Sequence, residues 1–347
     1  MATLGFAQAA DTASSSKVAK VESSVQKAMA AFQVPGIAVA IIKDNEIVLS
    51  KGFGVVKHGS QQKVNADTLF GVASNTKAMT AALLASLVDE GKLNWKTKVI
   101  DIIPEFQLPD AYVTREFTIL DLLSHNSGLG LGAGDLMIWP ETTLTNQDVI
   151  KGLKHLPQVS SFRSEFAYDN LMYVIAGEII AKITGKPWHE VIQSRIFDKL
   201  GMKNTRAKFS LIPDNNKNVA RAHVPLEGKL HVVGGNFLEK FSSAGSVASS
   251  VNDMSLWLKA QLNQGKYGQN GEQDLRLFSE QQSREMWQAR TLLPVPERAT
   301  VQDKTHFTAY ALGWFVKDYH GVKVIQHTGG ILGMVSKVVM VPEENLA

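Results

Sequence analysis

Along the first third of the chain the spacing of apolar residues changes twice, and each change marks a different kind of element. Val18, Val21, Val25, Met29 and Phe32 recur every three or four positions, which predicts an amphipathic helix from Ser16 to about Gln33, stopped by Pro35 and Gly36. Two short runs follow, Ile37 to Ile42 and Glu46 to Ser50. The polar Lys43-Asp44-Asn45 between them predicts a β-hairpin, with Gly52 and Gly54 closing its second strand. From Ala73 to about Gly235 helical spacing dominates, with helices expected over 75–89, 118–124, 171–183 and 188–200, the last opened by Pro187. Ser250 with Asp253 resembles a capping box opening a helix through Leu262. Strand-like segments return near 310–316, 323–327 and 334–341. The pattern describes an α/β (α+β) chain: an antiparallel sheet built from both ends, flanking helices, and a mainly helical subdomain between them. We assign the α/β part to about 17–72 plus 236–347 and the helical part to about 73–235. A binding site is expected where the two meet.

Composition narrows the classes. The 347 residues are 44% hydrophobic and 20% charged, enough for a sizeable core. Lys and Arg exceed Asp and Glu by 36 to 33, so there is no basic excess of the kind that marks nucleic-acid binding. No stretch approaches the eighteen or so apolar residues of a membrane helix, and no integral membrane segment is predicted. The absence of cysteine removes disulfides and thiolate chemistry. The opening residues carry Ala7-Gln8-Ala9, a small-x-small pattern like that at a signal cleavage site. Residues 1–16 therefore read as a signal remnant or disordered leader, and the location as periplasmic or secreted. Nine histidines show neither H-x-H nor H-E-x-x-H spacing, so no metal is predicted, and no cofactor.

The chemistry centres on Ser74 and Lys77, three apart where a strand gives way to a long apolar helix. That spacing puts hydroxyl and amine on one face of the first helical turn. A serine hydroxyl is a poor nucleophile until a base takes its proton, and a lysine whose pKa is lowered by burial can do so near neutrality. Free N–H groups at the helix start also favour developing negative charge. The S-x-x-K pattern alone is weak, since it recurs at Ser14 with Lys17 and at Ser24 with Lys27, and a plain N-cap serine would explain it. Two rarer patterns follow. Tyr168-Asp169-Asn170 precedes an apolar helix, and His327-Thr328-Gly329 follows a strand-like run.

S-x-x-K, then Y-x-N, then H-T-G, in this order, resembles the β-lactamase-like serine hydrolases: class C β-lactamases, D-alanyl-D-alanine carboxypeptidases and family VIII-type esterases. Leu122-Leu123-Ser124-His125-Asn126-Ser127-Gly128-Leu129 is similar to the family's L-L-x-H-x-S-G-L segment, and 242–253 to its later glycine-serine turn. The resemblance covers about 17–347. It implies Ser74 as the acylated nucleophile, Lys77 and Tyr168 as coupled proton carriers, and Asn170 as an orienting residue. His327, Thr328 and Gly329 would border the substrate, and the N–H groups of Ser74 and Gly330 would form the oxyanion hole. His125 is expected to be a structural hydrogen-bonding residue.

Where most β-lactamases carry Lys, this chain has His327, only partly charged near neutral pH. Recognition of a substrate carboxylate is weakened, and carboxylic esters or small amides become the expected substrates. D-Ala-D-Ala carboxypeptidase, D-amino-acid peptidase or weak β-lactamase activity is the alternative. An inactive relative that binds peptidoglycan or a protein partner is the non-enzymatic one. The Gly128 to Gly134 run is rejected as a dinucleotide loop because no buried strand precedes it. It reads instead as a mobile loop beside the pocket, with Leu136, Met137, Ile138 and Trp139 lining an acyl site. The chain ends at Ala347, where the family would add another strand and a closing helix, so an exposed sheet edge is expected. Oligomeric state is not legible.

Overall fold

The computed structural model describes residues 3–234, 238–268 and 275–347, with the side chains of 3–15 left aside. Helix α1 runs Thr3–Ala31, opening well before the expected Ser16. The hairpin is as the alternation predicts: β1 (Gly36–Lys43) and β2 (Glu46–Gly54) pair antiparallel. Its loop is only Asp44-Asn45, both with positive φ, a backbone these short polar side chains tolerate.

Nine further strands follow among the described residues. β3 (Phe70–Gly71), β4 (Ala222–Leu226), β5 (Lys229–Val233) and β6 (Ala248–Ser249) form two small pairs, β3 with β6 and β4 with β5. β7 (Thr291–Leu293), β8 (Thr308–Tyr310), β9 (Phe315–Tyr319), β10 (Val322–Ile331) and β11 (Met334–Met340) form an antiparallel sheet in the order β11-β10-β9-β8-β7. The expected strand over 310–316 is two strands joined by a turn. All four turn residues, Ala311 to Trp314, are buried, so the apolar run hides the reversal, which rests on Gly313 at φ 78°. Strand β10 is longer than expected and contains His327-Thr328-Gly329 rather than preceding it.

The two halves of the predicted sheet meet only at one end. Backbone N–H and C=O of Ile42 and Ala347 bond reciprocally at 2.8 and 2.9 Å. Elsewhere β1 and β11 face one another across a cleft of about 780 Å³ floored by Val251, Met254, Ser255 and Leu258. Each presents a main-chain edge unpaired among the described residues.

The core lies between this sheet and the helices. Helix α2 (Thr76–Asp89) is buried on nearly every face, which accounts for an apolar content without a polar stripe. Burying Met79, Leu83, Leu84 and Leu87 contributes about 1.5–3 kcal/mol each before entropy. The helix Asn170–Thr184 packs beside it, with Leu171 to Gly177 buried. Thr118 and Asp121 form a reciprocal capping box at the helix Ile119–Ser124. The one expected at Ser250 is one-way: Ser250 Oγ accepts from Asp253 N, but Asp253 Oδ2 turns to the N–H groups of Asn204 and Thr205 at 2.8 and 2.7 Å. The segment 188–200 is helical throughout, with a π-helical stretch at Gln193–Phe197. Among the described residues no helix is long and apolar enough to cross a membrane.

Candidate active site

Ser74 lies in a 3-10 turn, Ala73–Asn75, that runs directly into α2. The turn is held by its neighbours rather than by a side-chain cap. Asn75 N donates to Val72 O, Asn75 Nδ2 donates to Ser336 Oγ at 2.7 Å, and Ser336 Oγ donates to Val72 O at 2.6 Å. Strand β10 presses against it so closely that a Cβ at Gly329 would stand 2.1 Å from Val72 O. That contact explains the glycine of H-T-G as a packing requirement.

Lys77 is fully buried, and its Nζ has three neighbours: Asn170 Oδ1 at 2.7 Å, Ala244 O at 2.8 Å and Ser74 Oγ at 3.1 Å. The first two can only accept. A neutral amine donates its two N–H groups to them and turns its lone pair on the Ser74 hydroxyl. Burial pushes the Lys77 pKa down to about 7, against an opposing pull from Asp135 and Asp169, so the neutral amine is well populated near neutrality. Asn170 owes its orientation to Asp135, whose two carboxylate oxygens each accept from Asn170 Nδ2 at 3.1 Å. A carboxylate cannot donate, so the amide nitrogen faces Asp135 and the amide oxygen faces Lys77.

The Tyr168 ring stands 4.9 Å from Lys77 Nζ. Its hydroxyl is buried and has no hydrogen-bond partner among the described residues, and burial raises its pKa so that it stays protonated. Behind it, His125 Nδ1 accepts the backbone N–H of Asp169 at 3.1 Å, and the His125 ring lies 4.3 Å from that of Tyr168. His125 thus acts as the hydrogen-bonding support that its motif implied. Burial drives the neighbouring Asp169 up to about 8 while its Oδ1 caps Leu171 N.

His327 does not do what its place in the motif suggests. It is 1% exposed and sits behind the strand rather than in the cleft. Nδ1 lies 2.6 Å from Thr328 O, an acceptor, so Nδ1 carries the proton and Nε2 accepts from the Tyr310 hydroxyl at 3.0 Å. Burial, reinforced by the charge of Lys77, lowers its pKa to about 3. The expectation of partial charge is corrected: His327 is neutral, because desolvation outweighs its one favourable hydrogen bond. Thr328 and Gly330 are exposed on the same strand, and Gly330 lines the cleft.

The register of β10 aims the backbone of Gly330. The two-residue turn after Ile331 closes on the Ile331/Met334 pair, and the turn before Val322 closes on Tyr319/Val322. Closing pairs of such hairpins exchange backbone hydrogen bonds, and alternate residues point opposite ways. Odd residues of β10 therefore bond towards β11, and even ones point to the other side. Strand β9 ends its pairing at Gln326, which leaves the N–H of Gly330 directed into the cleft beyond it. Ser74 and Gly330 both line that cleft, of about 440 Å³, together with Tyr168, Asn170, Gly245 and Leu238.

The loop after Gly128 contributes Asp135, Leu136, Ile138 and Trp139 to the wall, while Met137 turns away against Gly152. Gly132 N donates to Tyr168 O at 2.8 Å, tying the loop to the backbone of Tyr168. Three contributors escaped sequence reasoning. Ala244 acts through its carbonyl and carries no side-chain signal. Asp135 sits inside the glycine loop already singled out, where a carboxylate among apolar neighbours is the clue. Gly313 lets its turn approach α2, for a Cβ there would lie 2.8 Å from Lys77 O. Among the described residues no group of acidic or histidine side chains could hold a metal ion.

A profile of the Beta-lactamase family matches residues 21–347. The chain is 30% identical to the unguisins hydrolase ungD of Aspergillus violaceofuscus over 92% of its own length, and spans 58% of that protein. It is 25% identical to the D-alanyl-D-alanine-carboxypeptidase/endopeptidase AmpH of Escherichia coli K12, covering 90% of this chain and 77% of that one. Its backbone superposes on the octameric penicillin-binding protein homologue from Pyrococcus abyssi with a TM-score of 0.81 at 25% identity, covering 95% of this chain and 72% of the other. The Ser74 turn, the buried Lys77 behind it and the backbone of Gly330 on β10 come together within a profile match that takes in nearly every residue, and the chain belongs to the Beta-lactamase family.

Proposed function

We propose that the chain is a serine hydrolase that forms an acyl-enzyme at Ser74 and cleaves carboxylic esters or small amides. The observation that carries this reading is the 3.1 Å approach of the buried Lys77 Nζ to Ser74 Oγ, a contact that a neutral amine makes with its lone pair because its two N–H groups go to Asn170 and Ala244. In acylation the hydroxyl proton passes to Lys77 Nζ as Ser74 Oγ bonds the acyl carbon. The oxyanion so formed lies between the N–H groups of Ser74 and Gly330. Collapse expels an alcohol or amine, which takes a proton from the Tyr168 hydroxyl, and Lys77 returns a proton to Tyr168. Water then attacks the acyl carbon along the same proton route and releases the acid and Ser74. The order of proton carriers follows from burial: the phenol is held protonated, whereas the amine is freed near pH 7.

Preference for esters and small amides over β-lactams rests on the missing cation. With His327 buried and neutral, the described residues offer no fixed positive charge to a substrate carboxylate in the cleft beyond Lys77, whose contacts are already taken. The test is the initial rate on p-nitrophenyl butyrate for wild type and Ser74→Ala, with circular dichroism for folding. Activity that disappears with Ser74 is expected; a folded but inactive wild type, or an active Ser74→Ala, overturns the reading.

A further inference from the structure

We propose that Asp135 makes the cleft selective for substrates carrying a primary ammonium group, such as amino-acid esters and amides with a free amine. This rests on the acyl-enzyme reading above and adds a substrate class to it. Asp135 lines the same cleft as Ser74 and Asn170, half-buried beside Leu136, Ile138 and Trp139. Its contacts are two long hydrogen bonds from a neutral amide, at 3.1 Å each. Among the described residues no lysine, arginine or histidine comes within ion-pair distance of it. A carboxylate has about four lone-pair sites, and one amide fills only part of them.

The remaining wall balances this charge only in part, through the electrostatic pull of Lys77. Lys77 is held near neutrality with its donors committed, and His327 is uncharged behind the strand. The cleft thus holds an anion that lacks an ion-pair partner among the described residues and stands beside apolar side chains, which strengthens its field and disfavours a like charge. Burial pushes the Asp135 pKa up for the same reason, a cost that an arriving ammonium group would offset. An anionic substrate meets repulsion there, and a neutral one leaves the carboxylate under-solvated. A cationic amine both pairs with it and completes its hydrogen bonds.

Asp135 also positions Asn170, so the experiment must separate recognition from support. Alanine p-nitroanilide and isobutyryl p-nitroanilide differ only in an ammonium group replaced by a methyl. For wild type kcat/KM should favour the amine by about tenfold or more, the range expected for a charged hydrogen bond. Asp135→Asn should bring that ratio close to one. A purely supporting role would lower both rates and leave the ratio unchanged, which overturns the proposal. Binding of alaninamide and isobutyramide to Ser74→Ala, by calorimetry, reads the same preference without turnover. Equal affinities there overturn the subsite even if Ser74-dependent hydrolysis holds. A preference for alaninamide upholds the subsite even if the hydrolase reading fails.

Discussion

If Lys77 takes the Ser74 proton as proposed, its pKa sets the pH at which the site works. Its charged form cannot take the Ser74 proton, and burial brings its pKa from the usual lysine value down to about 7. The rate on a neutral ester should therefore rise with pH through about 7 and level off above, as the amine sheds its proton. A kcat/KM profile on p-nitrophenyl butyrate measures this. A profile flat from pH 5 to 9 would remove Lys77 as the base. Asp169 titrates about 8 in the same buried cluster, so the observed midpoint belongs to the group rather than to one residue. At this scale much of the site was legible. Ser74, Lys77, Tyr168 and Asn170 come from motifs whose spacing survives in any fold that puts them on helix starts. The neutrality of His327 was not legible, because charge at a histidine depends on burial, which no motif states.

At the level of elements the decisive contact is between β10 and the turn that carries Ser74. Gly329→Ala would place a methyl 2.1 Å from Val72 O and 3.0 Å from Ala73 Cβ, both on the turn that carries Ser74. The strand must retreat, at a cost of about 1–3 kcal/mol. A lowered thermal midpoint together with a large loss of kcat is expected. Gly330→Ala is the control for stability, since a Cβ there meets nothing within 4 Å and its midpoint should stay near wild type. Equal destabilisation by both substitutions would refute the packing account. Helix positions followed from apolar spacing because α2 and the helix Asn170–Thr184 are long and nearly wholly apolar. The β8 to β9 reversal did not, since Ala311, Leu312 and Trp314 are as buried in a turn as in a strand. Ser250 and Asp253 show the same limit: the local pattern names a capping box, and the tertiary partner Thr205 takes half of it.

For the molecule as a whole, the separation of β1 from β11 has a physical consequence. Two facing main-chain edges, with Val335 83% exposed on one of them, form a template for pairing with another chain. The 347-residue chain should show a mass that grows with concentration in light scattering coupled to gel filtration, and Val335→Lys should return it towards the monomer. A mass independent of concentration would show the edges to be protected. The sequence by itself determined the class of elements, their placement at the two chain ends, and Ser74, Lys77 and Tyr168 as candidate site residues. Those depend on local periodicity and on short motifs read within a few residues. Only the tertiary structure decided which side chains are neutral, which glycines are contacts, and that Asp135 orients Asn170 across 35 positions of sequence. Burial and long-range approach set these properties, and they exist only once distant segments have packed.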